Sequence, residues 1–182
     1  MKRLWAALAA AILAVPANAE LEIGAQAPDF TTQASLGGKV YAYTLSAALR
    51  QGPVVLYFYP AAFTSGCTIE AHDFAEAIDR FKALGASVIG VSHDDIETLN
   101  RFSVSECRGK FPVASDRDQR IMKAYDAVLL NRTAYAKRTS YVIAPDGRIA
   151  YSYSAMNPDK HVANTLAAVK KLAAPQAPSD RH

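Results

Sequence analysis

Two cysteines carry the most informative chemistry in this 182-residue chain. Cys67 ends the stretch YPAAFTSGC, in which Pro60, Thr64 and Cys67 have the spacing PxxxTxxC, and Cys107 lies in SVSECRGK. A cysteine in such a context can be a nucleophilic thiolate, half of a structural disulfide or a small buried hydrophobe. The surrounding residues must decide between these roles.

The surroundings of Cys67 favour an activated thiolate. The apolar run PVVLYFYP predicts a strand buried on both faces, and a helical pattern begins near Ser65. The pKa of a thiol falls at a helix N-terminus, where free backbone N–H groups can also bind an anion or an incoming oxygen. Pro60 ends the strand without an N–H to offer, Thr64 has a hydroxyl that can donate and accept, and Gly66 permits close backbone approach.

The elements that must position this cysteine alternate between strands and helices. A short strand pair is predicted around the Gly37-Gly38 turn, an amphipathic helix from Cys67 to Gly85, and a buried strand at SVIGVS. Asp94 with Glu97 predicts a capped start for a helix from about Asp95 to Cys107. The later predictions are a strand at 111–114, a short helix at 118–125, a hairpin at TSYVIAPDGRIAYSY and a last helix at 158–172.

This order predicts an α/β fold with a central mixed sheet and helices on both faces. Reacting groups in such sheets usually lie at the carboxyl ends of the parallel strands, and Cys67 directly follows a predicted strand end.

The two ends of the chain differ in composition from the rest. Residues 1–19 have a positive start, an apolar run too short to span a membrane, and an Ala-Asn-Ala cleavage site. They predict a signal peptide, removed on export to the periplasm, with no stable membrane insertion of the mature protein. Residues 20–172 are expected to form one domain and residues 173–182 a flexible tail.

Charge excludes some partners. Without Lys2 and Arg3 the mature chain has 18 basic and 17 acidic residues, so nothing indicates a nucleic acid or an anionic membrane as partner. None of the four histidines lies at a metal-ligand spacing from a cysteine or another histidine. In an oxidising compartment, two cysteines by default indicate a disulfide.

Several motifs, in one order along nearly the whole mature chain, resemble the peroxiredoxins, which are thiol peroxidases with a thioredoxin-like fold. These motifs are GAQAPDFTT, VVLYFYPAAFTSGCTIE, VIGVSHDD, FPVASD and RTSYVIAPDGRI. Among the subfamilies, the chain is most similar to the bacterioferritin-comigratory-protein type, also called the PrxQ-like type.

The resemblance implies a role for four residues. Cys67 would be the peroxidatic thiolate, Thr64 the hydroxyl that orients the peroxide, Pro60 a shield, and Arg138 a cation that stabilises the thiolate. The implied substrates are hydrogen peroxide and alkyl hydroperoxides, and the implied reductant is a thioredoxin-like protein. No cofactor and no metal are implied, and the expected assembly is a monomer or weak dimer. Glu70 resembles the acidic or amide position that follows the cysteine in this subfamily. A charge favourably placed near a helix N-terminus explains it at least as well as a catalytic role does.

The second cysteine departs from the most familiar subfamily pattern. That pattern has its second cysteine five residues after the first, where this chain has His72, expected on the exposed side of the helix. The resemblance leaves Cys107 as the resolving candidate, in a last helical turn that could fray and form a Cys67–Cys107 disulfide. A one-cysteine enzyme with Cys107 as a buried hydrophobe stays open.

Two other functions also stay open. An exported thiol–disulfide oxidoreductase would need a local Cys-x-x-Cys, but Glu70 lies three residues after Cys67. A non-enzymatic scaffold would carry a permanent disulfide between the two cysteines. The sequence does not identify the preferred peroxide or the physiological reductant.

Overall fold

The computed structural model of the protein describes residues 20–130, 132 and 134–174. The predicted signal peptide, residues 1–19, and residues 175–182 of the predicted tail lie outside the described residues. Seven strands form a mixed sheet: β1 (Thr31–Leu36), β2 (Lys39–Thr44), β3 (Val54–Phe58), β4 (Ser87–Ser92), β5 (Val113–Ser115), β6 (Thr139–Ile143) and β7 (Ile149–Ser154). Their order across the sheet is β2-β1-β5-β4-β3-β6-β7.

Within the described part of the chain, five helices flank the sheet: α1 (Leu45–Leu49), α2 (Ser65–Ala83), α3 (Ile96–Ser105), α4 (Arg120–Ala124) and α5 (His161–Ala173). The predicted α/β architecture is confirmed, including the strand pair at the glycine turn and the hairpin of β6 and β7. The sequence pattern did not predict α1. The last helix ends one residue into the predicted tail.

The central strand β3 shows why its sequence is a continuous apolar run. Val55 and Tyr57 belong to the hydrophobic cluster that contains residues of α2, α3 and α5. Leu56 and Phe58 belong to a second cluster, which contains residues of α1 and α4. Because successive side chains of a strand alternate between faces, a strand covered on both sides needs apolar residues at every position.

The pairing of β3 positions the two ends of the site. β3 is parallel to β4 and antiparallel to β6, with Phe58 opposite Thr139. The carboxyl end of β3 therefore lies beside the amino end of β6. The residue before β6 and the loop after β3 meet at this edge of the sheet.

Candidate active site

Cys67 lies in the first turn of α2, after the short loop that follows β3. Thr64 is the N-cap of this helix, with extended backbone geometry, and its carbonyl accepts the N–H of Thr68 at 2.9 Å. The Cys67 side chain is almost fully buried, at 2 % exposed. Cys67 therefore lies near the positive end of the helix dipole, in the turn whose first backbone N–H groups have no partner within the helix.

Arg138, which precedes β6, is buried beside Cys67. Its Nη2 donates to the sulfur of Cys67 at 3.4 Å, and its Nε donates to the carbonyl of Met156 at 3.0 Å. The side chain is 4 % exposed, so Arg138 is not a solvated surface residue. The planar guanidinium has several donors in a fixed fork, which allows it to hold two acceptors while it faces the sulfur.

Gly66 has a specific reason to lack a side chain. A Cβ built on this residue would lie 3.2 Å from Nη2 of Arg138, closer than almost all such contacts in proteins. The close backbone approach expected at Gly66 is therefore the approach of α2 to the arginine.

The loop between β3 and α2 is held by its own hydrogen bonds. Thr64 Oγ1 donates to the carbonyl of Ala61 at 2.9 Å, and the N–H of Ala62 donates to the Asp94 carboxylate at 2.8 Å. Phe63 has φ of 64°, a left-handed conformation that costs an aromatic residue energy. Pro60 begins the loop and is half-buried. The Thr64 hydroxyl is exposed in its contact with Ala61, and it makes no hydrogen bond to the sulfur.

Glu70 is part of the site, which the helix-dipole interpretation did not predict. It lies one turn after Cys67 on α2, is fully buried, and accepts from Nη1 of Arg138 through Oε2. Burial raises the pKa of this carboxyl to about 8, against the opposing effect of Arg138. The spacing of three residues from Cys67 was the available signal, because such pairs share a helix face.

The start of α3 differs by one residue from the prediction. Asp95, not Asp94, is the N-cap, and its carboxylate accepts the N–H of Thr98 at 2.7 Å. Asp94 instead accepts from Ser92 Oγ at 2.7 Å and from the Ala62 N–H. The carboxylate assigned to the helix therefore fixes the loop before Cys67.

Cys107 is not in the last turn of α3, as was predicted, but two residues beyond the helix end. It is completely buried in the cluster that also contains Cys67, and both cysteines are free thiols. Burial raises the pKa of the Cys107 thiol far above its usual range, with a further contribution from Glu106. A neutral, enclosed thiol of this kind must move before it can react.

The turn that carries Cys107, residues 106–110, is attached to α2 by three side-chain contacts. His72 Nε2 lies 2.9 Å from Glu106, and this pair is partly buried, with side chains 35 % and 19 % exposed. Two more exposed ion pairs continue along the same helix: Glu76–Arg108 at 3.3 Å and Asp79–Lys110 at 3.7 Å. The 35 % exposure of the His72 side chain agrees with its expected place on the exposed side of the helix, and the imidazole also contacts the residue before Cys107.

Two further properties concern residues 20–130, 132 and 134–174. No helix in these ranges is long and apolar enough to cross a membrane. The same residues contain no cluster of three or more His, Cys, Asp or Glu side chains that could hold a metal ion.

Comparisons with known proteins agree with this geometry. Residues 23–152 match the model of the AhpC/TSA family. The chain is 33 % identical over 150 residues to chloroplastic peroxiredoxin Q of Oryza sativa subsp. japonica, covering 82 % of this chain and 67 % of the relative. It is 31 % identical over 123 residues to peroxiredoxin Bcp of Xanthomonas campestris, covering 64 % and 76 %.

Among solved structures, peroxidoxin BcpB from Mycobacterium tuberculosis matches with a TM-score of 0.75 and 30 % identity, over 84 % of this chain and 98 % of that one. The family model covers well over half of the chain, and both relatives are named as peroxiredoxins, of the Q and Bcp types. The chain therefore belongs to the AhpC/TSA family and is a thiol-dependent peroxidase of the peroxiredoxin Q/Bcp type.

Proposed function

We propose that Cys67 is the peroxidatic cysteine of this peroxidase, with Arg138, Thr64 and Pro60 as the other residues of its active site. The observation that carries the proposal is the buried contact of 3.4 Å between the Arg138 guanidinium and the Cys67 sulfur. A cation at that distance stabilises a thiolate, and the N-terminus of α2 adds to this effect.

The proposed reaction is an in-line displacement on the peroxide. The Cys67 thiolate attacks one oxygen, the S–O bond forms as the O–O bond breaks, and the other oxygen takes up a proton and leaves as water or an alcohol. Cys67 is oxidised to a sulfenic acid and the peroxide is reduced. Arg138 and the backbone N–H groups of the first turn of α2 stabilise the charge that develops on the oxygens.

The Thr64 hydroxyl is assigned the orientation of the peroxide. It donates to the Ala61 carbonyl without substrate, and rotation about one bond would turn it from the loop towards a bound oxygen. Pro60 is assigned the role of a shield, because it is half-buried at the start of the loop and has no N–H that could hydrogen-bond water there.

Resolution is proposed to occur at Cys107. Its thiol attacks the sulfenic sulfur, a disulfide forms and water leaves; a thioredoxin-like dithiol protein then reduces the disulfide and is itself oxidised. Since both cysteines belong to one apolar cluster, the required movement is local opening of the turn at 106–110. The full burial of Cys107 favours the second candidate, a one-cysteine enzyme, in which an external thiol reduces the sulfenic acid directly.

Peroxide consumption distinguishes these possibilities. We expect wild-type turnover with thioredoxin as reductant, none in Cys67→Ser, and in Cys107→Ser a single stoichiometric burst without turnover. Activity in Cys67→Ser would contradict the proposal for Cys67. Wild-type turnover in Cys107→Ser would favour the one-cysteine enzyme, and so would oxygen adducts without a disulfide in non-reducing mass spectrometry after one equivalent of peroxide.

The composition of residues 1–19 supports export to the periplasm as a further proposal. Expression of the full chain, followed by cell fractionation and N-terminal sequencing, should give a periplasmic protein that begins at Glu20. Cytosolic protein with residues 1–19 intact would contradict it. We also propose a monomer or weak dimer, which size-exclusion chromatography with light scattering over a range of concentrations tests.

A further inference from the structure

His161 lies beside Glu70, the buried carboxyl whose other oxygen accepts from Arg138. It begins α5 and is completely buried, with Nδ1 at 3.7 Å from Glu70 Oε1. That carboxylate oxygen has no hydrogen-bond partner, whereas Oε2 accepts from Arg138. An unpartnered buried carboxyl oxygen is costly and requires an explanation.

The hydrogen bonds of His161 fix which nitrogen carries its proton. Nε2 lies 2.9 Å from the carbonyl of Ala155, which can only accept, so Nε2 is the protonated nitrogen. In the neutral ring Nδ1 is therefore an acceptor, and it lies 2.8 Å from Ser140 Oγ. A lone pair on Nδ1 repels a Glu70 carboxylate and attracts a protonated carboxyl.

A proton on the Glu70–His161 pair changes the charge balance around Arg138. Arg138 faces two groups that can be anionic, the Cys67 sulfur and Glu70, and all three are at most 4 % exposed. When Cys67 and Glu70 are both ionised, the single positive charge of Arg138 is shared between two buried negative charges. With one proton on the Glu70–His161 pair, the pair is neutral and the thiolate has the guanidinium as its own counter-ion.

We propose that His161 is a positioning residue of the peroxidase: it keeps one proton on the buried Glu70–His161 pair, so that the charge of Arg138 is available to the Cys67 thiolate. The inference rests on the proposed role of Cys67. The direction of the titrations agrees, because burial raises the pKa of Glu70 to about 8 and burial lowers the pKa of His161. The other ionisable groups that face the pair are Cys67, Asp73, Tyr57, Tyr153 and Glu20.

The test is the pH midpoint for alkylation of Cys67 by iodoacetamide, measured at the Cys67 peptide by mass spectrometry. His161→Gln keeps a donor for the Ala155 carbonyl but removes the acceptor nitrogen. We expect it to move the midpoint upward by about one pH unit, which is a tenfold change in the ionisation constant of the thiol. Asn164→Ala, a partly buried residue of the same helix α5 whose replacement leaves the imidazole and Ser140 intact, is the matched control and should leave the midpoint unchanged.

A Glu70→Gln background shows whether the effect passes through the carboxyl. Gln is neutral at every pH, so His161→Gln should then shift the midpoint by less than about 0.3 unit. An unchanged midpoint in the single variant, or an equal shift in the Glu70→Gln background, would overturn the proposal. Alkylation needs no peroxide, so an absence of peroxidase activity would contradict the role of Cys67 without affecting this result.

If His161→Gln does not fold, NMR of a Cys67→Ser protein with ¹⁵N-labelled histidine and ¹³C-labelled glutamate carboxyls gives the answer without changing the pair. We expect Nε2 to be protonated and one further proton to reside on the pair up to about pH 7. A Glu70 carboxylate beside a neutral His161 throughout pH 5–7 would refute the inference.

Discussion

Replacement of Arg138 by glutamine removes the charge that faces the Cys67 sulfur while retaining a polar side chain. At 3.4 Å and an effective dielectric constant of about 20, the attraction between the guanidinium and a thiolate is about 5 kcal/mol. Part of this is regained, because the glutamine amide can still donate a hydrogen bond to the sulfur. We expect a net loss of about 3 kcal/mol, or roughly 100-fold in rate, similar to the loss of one oxyanion donor.

The assay for Arg138→Gln is a single turnover in rapid quench, in which free Cys67 is counted by alkylation after mixing with hydrogen peroxide. This rate constant does not depend on Cys107 or on the reductant. Lys137→Gln is the matched control, since it removes the same charge from the neighbouring, half-buried residue and should react within twofold of wild type. Thermal unfolding confirms that each variant is folded. A rate for Arg138→Gln within threefold of wild type would refute this account of the thiolate.

Three further changes test separate parts of the site. With the pKa of Glu70 raised to about 8, the native state holds a proton that the unfolded chain releases near pH 4.5. The free energy of unfolding should therefore fall by a few kcal/mol between pH 5 and 9. In denaturant titrations, Glu70→Gln should abolish this fall. Gly66→Ala should displace Arg138 and slow peroxide reduction several-fold in stopped-flow assays, while unfolding shows a helix no less stable. Glu106→Gln weakens the contact with His72 by about 0.5–1 kcal/mol, so the disulfide should form about 2–5-fold faster than in wild type. Mass spectrometry of quenched samples measures this rate. A rate equal to that of wild type would contradict the opening of this turn as the slow step.

Local sequence patterns predicted most of the fold because each strand or helix has a recognisable pattern within a few consecutive residues. The apolar run of β3 and the Pro-Asp-Gly turn between β6 and β7 need no knowledge of distant residues. The cap of α3 was displaced by one residue because two aspartates are adjacent and either can cap a helix. Only the tertiary structure assigns Asp94 to the loop before Cys67.

The polar members of the site depend on pairing that sequence spacing does not reveal. Arg138 reaches Cys67 because β6 is antiparallel to β3, which brings residues 71 positions apart into contact. The resemblance to known motifs predicted that Arg138 lies near the Cys67 thiolate, whereas composition alone favours an exposed arginine. Glu70 and His161 were missed for a related reason. They lie on different helices, α2 and α5, so only the tertiary structure shows that the two side chains are buried side by side.

The relation between His72 and Cys107 changes the chemical question that the second cysteine raises. His72 occupies the position where the most familiar pattern of the subfamily has its second thiol, and it contacts the residue before Cys107. One substitution on α2 therefore accounts for two properties: the near partner of Cys67 is absent, and the remote partner is held in place. If Cys107 is the resolving residue, as proposed, its burial and the three contacts of its turn with α2 make us expect that the opening of that turn sets the lifetime of a Cys67 sulfenic acid. Opening, rather than the reactivity of either sulfur, then determines whether a second peroxide oxidises Cys67 to the sulfinic acid before the disulfide forms.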